Sequence, residues 1–114
     1  MYGRKNKYRN VKTASGFDSA KEERRFQELC LMERAGMIRD LQKQVRFELV
    51  PRQNKDGHKL PKADYIADFV YIDNDTGREV VEEVKGYRGG EAYRLVKLKK
   101  KLMLEKWGLW VDEI

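Results

Sequence analysis

This chain has few of the residues that make disulfides, zinc sites or histidine pairs. It contains one cysteine, Cys30, and one histidine, His58. An internal disulfide is therefore excluded, and a Cys/His zinc site within one chain lacks ligands. Catalysis by paired histidines is excluded on the same count. No apolar run approaches the roughly 18 residues a membrane span needs. The basic N-terminus, MYGRKNKYRN, is followed by no apolar segment, so it does not read as a secretory signal. The expected location is cytoplasmic. Acidic residues are also in deficit, 19 Asp and Glu against 25 Lys and Arg, which leaves a net charge of +6 and a pI near 9.4. A basic surplus on a small domain favours polyanionic partners, nucleic acid ahead of an anionic membrane.

What is present suits one domain. The 114 residues are 40% hydrophobic, enough for one modest core, and 39% charged, so the surface is dense in charge. Residues 1–12 carry Arg4, Lys5, Lys7, Arg9 and Lys12 without an acid and with Tyr2 and Tyr8 among them. They read as a basic arm, either a solvated end or a segment that orders on a polyanion. Residues 13–114 read as a single domain. A helix is expected from about Asp18 to Ala35, with Asp18 or Ser19 as N-cap and Gly36 just past its end. Phe26, Leu29, Cys30 and Met32 supply its apolar side, with Cys30 a small buried hydrophobe. Leu41–Val50 alternates as a half-buried strand ended by Pro51. Residues 52–62, with Asp56-Gly57, His58 and Pro61, read as a polar loop. Tyr65–Ile72 and Glu79–Lys85 read as two strands joined by the turn Asn74-Asp75-Thr76-Gly77. A second helix is expected over Glu91–Trp107, with Ala92, Leu95, Leu98, Leu102 and Met103 inward, then a short strand at Leu109–Val111. The order is α-β-β-β-α-β.

Two carboxylates are out of place in that pattern. Asp68 interrupts the apolar run YIADFVYI, and Glu83 holds a similar position in EVVEEVK. A hairpin symmetric about Asp75 and Thr76 pairs Val70 with Val81, and therefore Asp68 with Glu83. Opposite residues share a face with Cβ atoms about 5 Å apart. At an effective dielectric near 20, two negative charges at that spacing repel by roughly 3 kcal/mol. A divalent cation reverses the sign, since Mg²⁺ takes hard oxygen ligands and often uses one or two carboxylates with water and phosphate. Lys85 brings a cation to the same place. A turn one residue longer would put the carboxylates on opposite faces, and they would then be ordinary edge charges. Glu22 has two readings: the end of a Ser19-x-x-Glu22 capping box, or a carboxylate on the packed side of the helix, four and seven residues before Phe26 and Leu29.

These residues resemble the PD-(D/E)XK nuclease superfamily, whose pattern reads here as Asp68 followed by Glu83-Val84-Lys85. A fuller resemblance is to small phage and prophage proteins long catalogued without function. It covers Lys7-Tyr8, Phe17-Asp18-Ser19 with Glu22 and Arg24-Arg25, Phe47-Glu48-Leu49, Tyr65-Ile66-Ala67-Asp68-Phe69, and Val81 to Gly86. Ala67 stands where the superfamily name has proline. The resemblance implies an α/β (α+β), restriction-endonuclease-like core, a mixed sheet flanked by helices. It implies Asp68 and Glu83 as metal ligands with the Val84 carbonyl. It gives Glu22 to a second metal or a water, and places Lys85 beside the attacking water. The cofactor would be Mg²⁺ or Mn²⁺ and the substrate DNA, with branched DNA, as cut by Holliday-junction resolvases, among the candidates. If the chain is phage-encoded, it would act in the bacterial host's cytoplasm. Arg94, Lys97, Lys99, Lys100, Lys101 and Lys106, with the arm residues Arg4, Lys5, Lys7 and Arg9, could hold phosphates. Trp107 and Trp110 read as core or interface. A homodimer would suit a branched substrate, but nothing in the sequence marks its interface. Neither a membrane nor a small-molecule cofactor is expected. The competing function is a non-catalytic basic DNA-binding accessory protein of phage replication or recombination.

Overall fold

A computed structural model of the chain describes residues 19–85 and 89–114. The arm at residues 1–12 and Asp18 lie outside them. Helix α1 spans Ala20–Arg34. Ser19 caps it in extended backbone, its hydroxyl accepting the Glu22 N–H at 3.1 Å. Glu22 and Glu23 in the first turn and Arg34 in the last complement the helix dipole. Gly36 takes a φ of +81° just beyond the end, the left-handed position glycine accepts most readily.

The strands are β1 (Ile38–Val50), β2 (Gln53–Lys55), β3 (His58–Leu60), β4 (Ala63–Asp73), β5 (Glu79–Glu83) and β6 (Val111–Glu113). Helix α2, Gly90–Trp107, lies between β5 and β6. The main sheet has the order β1-β4-β5-β6. Its first two pairings are antiparallel and β5–β6 is parallel, the crossover being α2. The described residues are thus mixed α and β, with a mixed sheet and two helices. Strands β2 and β3 form a separate two-stranded ribbon. Among the described residues no helix is long and apolar enough to cross a membrane.

The core falls into two clusters. Val45, Phe47, Leu49, Tyr65, Ala67, Val70, Val81, Met103 and Val111 form the larger, with Leu102, Trp107 and Leu109 packed on it. Leu29, Ile38, Phe69 and Tyr71 form the smaller, against Phe26 and Met32 of α1. Phe26 stacks on Phe69 with ring centroids 5.9 Å apart, and the Trp107 ring meets Phe47 edge-on at 5.5 Å.

The structure corrects several expectations. Residues 52–62 are not a plain loop, because Asp56 and Gly57 both take positive φ (+52° and +82°). That is the backbone of a two-residue hairpin turn. Strand β1 begins at Ile38, earlier than the alternating stretch. Strand β5 ends at Glu83, leaving Lys85 past the ladder, and β6 is Val111–Glu113. In α2, Ala92, Leu95 and Leu98 face outward, the leucines each 53% exposed. The helix carries apolar residues on more than one side, and packing selects Met103, with Val96, Leu102 and Trp107 partly covered. Cys30 is half-buried and free. Trp107 joins the core while Trp110 is exposed.

Candidate active site

The site begins with the β4–β5 hairpin. Its register runs Ile72↔Glu79, Tyr71↔Val80, Val70↔Val81 and Phe69↔Glu82. This is the symmetric pairing expected from the turn, and one further step brings Asp68 level with Glu83. There the ladder stops, and the Asp68 carboxylate takes the Val84 N–H at 2.7 Å. Glu83 is buried; it accepts the Tyr65 hydroxyl at 2.5 Å and lies 2.6 Å from the Lys85 ammonium. Lys85 is itself buried, its ammonium 4.8 Å from the centre of the Tyr93 ring. The Lys85 carbonyl accepts the Lys21 ammonium at 3.0 Å, which ties α1 to this end of β5.

Glu22 enters from the other side. It is 3% exposed, and its carboxylate accepts the Gln44 amide at 2.8 Å. The same amide nitrogen lies 3.3 Å from the second Asp68 oxygen. Gln44 is therefore a bridge between Glu22 and Asp68. Its φ of +55° is uncommon for a residue other than glycine, and such backbone tends to gather at functional sites. The Ser19 half of the capping box is formed, yet the Glu22 carboxylate is turned onto the sheet.

Asp68, Glu83 and Val84 lie along a cleft of about 490 Å³, with Arg46, Lys62 and Lys99 among its lining residues. Burial pushes the Asp68 carboxyl up to about 7. The charges of Glu22 and Glu83 push the same way, against the Val84 N–H and the Gln44 amide. Among the described residues no cation pairs with Asp68. Burial, then the neighbouring Glu83 charge, raises the Tyr65 hydroxyl as well. Asp64 binds Arg46 at 3.1 Å and Lys62 at 3.6 Å through Oδ2, while its buried Oδ1 has no donor among the described residues.

The donor set fits a hard cation of modest demands. No three Asp, Glu, His or Cys side chains among the described residues gather closely enough to hold one ion. The cleft offers two carboxylates, Asp68 and Glu83, with Val84 beside them, and one or two carboxylates completed by water are the sparse kind of coordination Mg²⁺ accepts. Glu22 stands back behind Gln44.

Glu82, beside Glu83, has another role. It accepts Arg25 through Nε at 2.9 Å and through a terminal nitrogen at 2.6 Å, and the Tyr71 hydroxyl at 2.5 Å. Glu82 and Arg25 bind α1 to the sheet and leave the cleft alone. The hydrogen bond to Glu82 raises the Arg25 guanidinium further still.

A family model described as a protein of unknown function (DUF1064) matches residues 4–111. The chain belongs to this family. The matched span holds every residue named along the cleft. No curated protein and no solved structure matches the chain.

The predicted phosphate ligands fare unequally. Lys100 is ion-paired to Glu113, so it is poorly placed for the role. Arg94 pairs with Glu91 at 3.0 Å on the exposed face of α2, and Lys97 lies over the Tyr93 ring at 5.3 Å. Lys101 is exposed, and Arg4, Lys5, Lys7 and Arg9 lie outside the described residues. The sequence reading overlooked Gln44, Tyr65, Tyr93, Arg46 and Lys62. Only Gln44 left a sequence signal, as a polar residue in a strand that packs against the helix bearing Glu22.

Proposed function

We propose that the cleft is the active site of a nuclease of the PD-(D/E)XK type, dependent on Mg²⁺ or Mn²⁺, that hydrolyses DNA phosphodiesters. One observation carries this reading. Asp68, with its charge opposed by burial and by two other carboxylates, faces a cleft together with Glu83, Val84 and Lys99. Such an arrangement costs stability unless a cation enters. Asp68 and Glu83 would hold a divalent cation, which would supply Lewis-acid activation of the phosphodiester. The protein's own groups do the rest. Val84 N–H and Gln44 orient Asp68. Tyr65 and Lys85 orient Glu83, and the Lys85 ammonium brings a positive charge to the Glu83 side of the site, where it would steady charge on a phosphate under attack. Gln44 keeps Glu22 within one side chain of Asp68, where it can order a water. Lys99 offers charge to the flanking backbone, and Arg46 and Lys62, which share the single carboxylate of Asp64, leave a net positive charge on the same cleft.

The test is cleavage of linear, plasmid, single-stranded and four-way-junction DNA with Mg²⁺ or Mn²⁺. Wild type should cut at least one of them, and Asp68→Asn should bind DNA without cutting. Equal behaviour of the two proteins in every assay would sink the proposal.

A second reading has its own observation. The Lys85 ammonium already lies 2.6 Å from Glu83, so half of the carboxylate pair is neutralised without metal. On that reading the protein is a DNA-binding accessory factor. A Mn²⁺ titration that detects no binding dependent on Asp68 would favour it.

A further inference from the structure

Residues 51–62 project from the end of the β1–β4 pair, where Val50 is opposite Ala63. Pro51 and Pro61 interrupt the ladder, and β2 and β3 pair again beyond them as Gln53↔Leu60, Asn54↔Lys59 and Lys55↔His58. The tight turn at Asp56-Gly57, both at positive φ, sets the register of the ribbon. Every residue from Pro51 to Lys62 is exposed. With about five residues in each arm, 51–55 and 58–62, at roughly 3.3 Å per residue, the ribbon reaches roughly 17 Å. An isolated two-stranded ribbon is only marginally stable in water, so one over which none of the described residues packs suggests a partner. Its charge indicates which kind: Arg52, Lys55, Lys59 and Lys62 stand against Asp56 as the one acid. Opposite residues share a face, so Lys55 lies with Gln53 and His58, and Lys59 lies with Asn54. Each face thus joins a cation to an amide capable of meeting base edges. At the ribbon's foot, Lys62 lines the same cleft as Asp68 and Glu83.

We propose that the β2–β3 ribbon is a wing that enters the major groove of a DNA duplex whose backbone continues past Lys62 into the cleft. The major groove, about 12 Å wide, admits a two-stranded ribbon. The inference rests on the nuclease reading for the scissile phosphate. For the duplex it rests on the ribbon alone. It specifies the substrate as double-stranded DNA, or a duplex arm of a branched one. The deep, narrow major groove of A-form RNA would not admit the wing.

The experiment measures binding of labelled duplex DNA, single-stranded DNA and duplex RNA by anisotropy, in EDTA and across a salt series. The variant Arg52→Ala/Lys55→Ala/Lys59→Ala should lose about tenfold or more in duplex affinity at low salt. The slope of log affinity against log salt should fall by about 2–3. Gly57→Val retains every cation but strains a φ of +82°; it should lose the preference for duplex over single strands. Wild-type affinity and salt slope in the triple variant would overturn the proposal, as would equal wild-type binding of duplex RNA and duplex DNA. The two readings fail separately. A protein that grips duplex through the ribbon but cuts nothing with Mg²⁺ or Mn²⁺ refutes the nuclease and keeps the wing. A protein that cuts DNA, with a triple variant that binds and cuts like wild type, does the reverse.

Discussion

Glu82 and Glu83 are neighbours on β5 and face opposite sides of the sheet, with opposite consequences. Under α1, Glu82 is 2% exposed and receives two Arg25 nitrogens and the Tyr71 hydroxyl. Its charge is matched, and the arrangement closes one layer of the fold onto the other. On the cleft side, Glu83 has one cation, Lys85, and shares its surroundings with Asp68, which has none among the described residues. A buried carboxylate matched by a guanidinium organises structure. A carboxylate pair matched by a single lysine leaves negative charge for something else to bind. The difference lies in what the tertiary structure brings to each side, since the two residues are chemically identical.

The largest effect that would sharpen the contrast concerns Asp68. Asp68→Asn should lower cleavage about a thousandfold or more, roughly 4 kcal/mol of transition-state stabilisation, measured as kcat/KM on whichever DNA is cut. Folding should be retained. On the other side, Glu82→Ala leaves Arg25 only its exposed pair with Glu28 at 3.0 Å and should cost about 2–3 kcal/mol in urea-melt stability. A Glu83→Gln variant keeps an oxygen acceptor for Tyr65 and Lys85 and removes the repulsion on Asp68, so it should cost less; equal losses would erase the distinction between the two faces. Next is Gln44→Ala, which removes the bridge between Glu22 and Asp68. It should weaken activity or Mn²⁺ affinity about 10- to 100-fold, with melting temperature nearly unchanged.

Smaller effects come through pH. The Asp68 carboxyl titrates near 7 in the fold against an ordinary 3.8, so its ionisation is disfavoured in the folded state. Its contribution to stability is complete below about pH 4 and is lost as pH rises through 7. In EDTA, Asp68→Asn should therefore be more stable than wild type at pH 8 by about 1–2 kcal/mol, an advantage that vanishes at low pH. Adding Mg²⁺ should raise the wild-type melting temperature at pH 8 and leave the variant unmoved. The smallest effect is at Glu79, far along β5, which burial raises to about 7. Glu79→Gln should stabilise the protein at pH 8 relative to pH 5. Solvent screening at this partly exposed position keeps that below about 1 kcal/mol, and Mg²⁺ should not alter it. A Mg²⁺ response at Glu79 equal to that at Asp68 would show that the ion is bound non-specifically.

Much of the site was legible in the residues themselves. The turn Asn74 to Gly77 constrains the hairpin, and its symmetry brings Asp68 level with Glu83. The ribbon was not read from the sequence: Asp56-Gly57 is hairpin chemistry, but its flanks lack apolar alternation, since exposed strands need none, and the stretch reads as a polar loop. The inward face of α2 was not legible. Leu95 and Leu98 are as apolar as Leu102 and Met103, and only the position of the sheet selects among them.

The sequence by itself determined the order of the two helices and of the main-sheet strands, a capped start of α1 at Asp18 or Ser19, and a β4–β5 hairpin whose symmetric register would bring Asp68, Glu83 and Lys85 near one another. These follow from local backbone preference and short-range pairing. Only the tertiary structure decided that Arg25, 57 residues away in the chain, neutralises Glu82 and not Glu83. It alone brought Gln44 between Glu22 and Asp68, and placed Arg46, Lys62 and Lys99 along the cleft. Those contacts join separate elements, and their partners are chosen by how α1 and α2 pack on the two faces of the sheet.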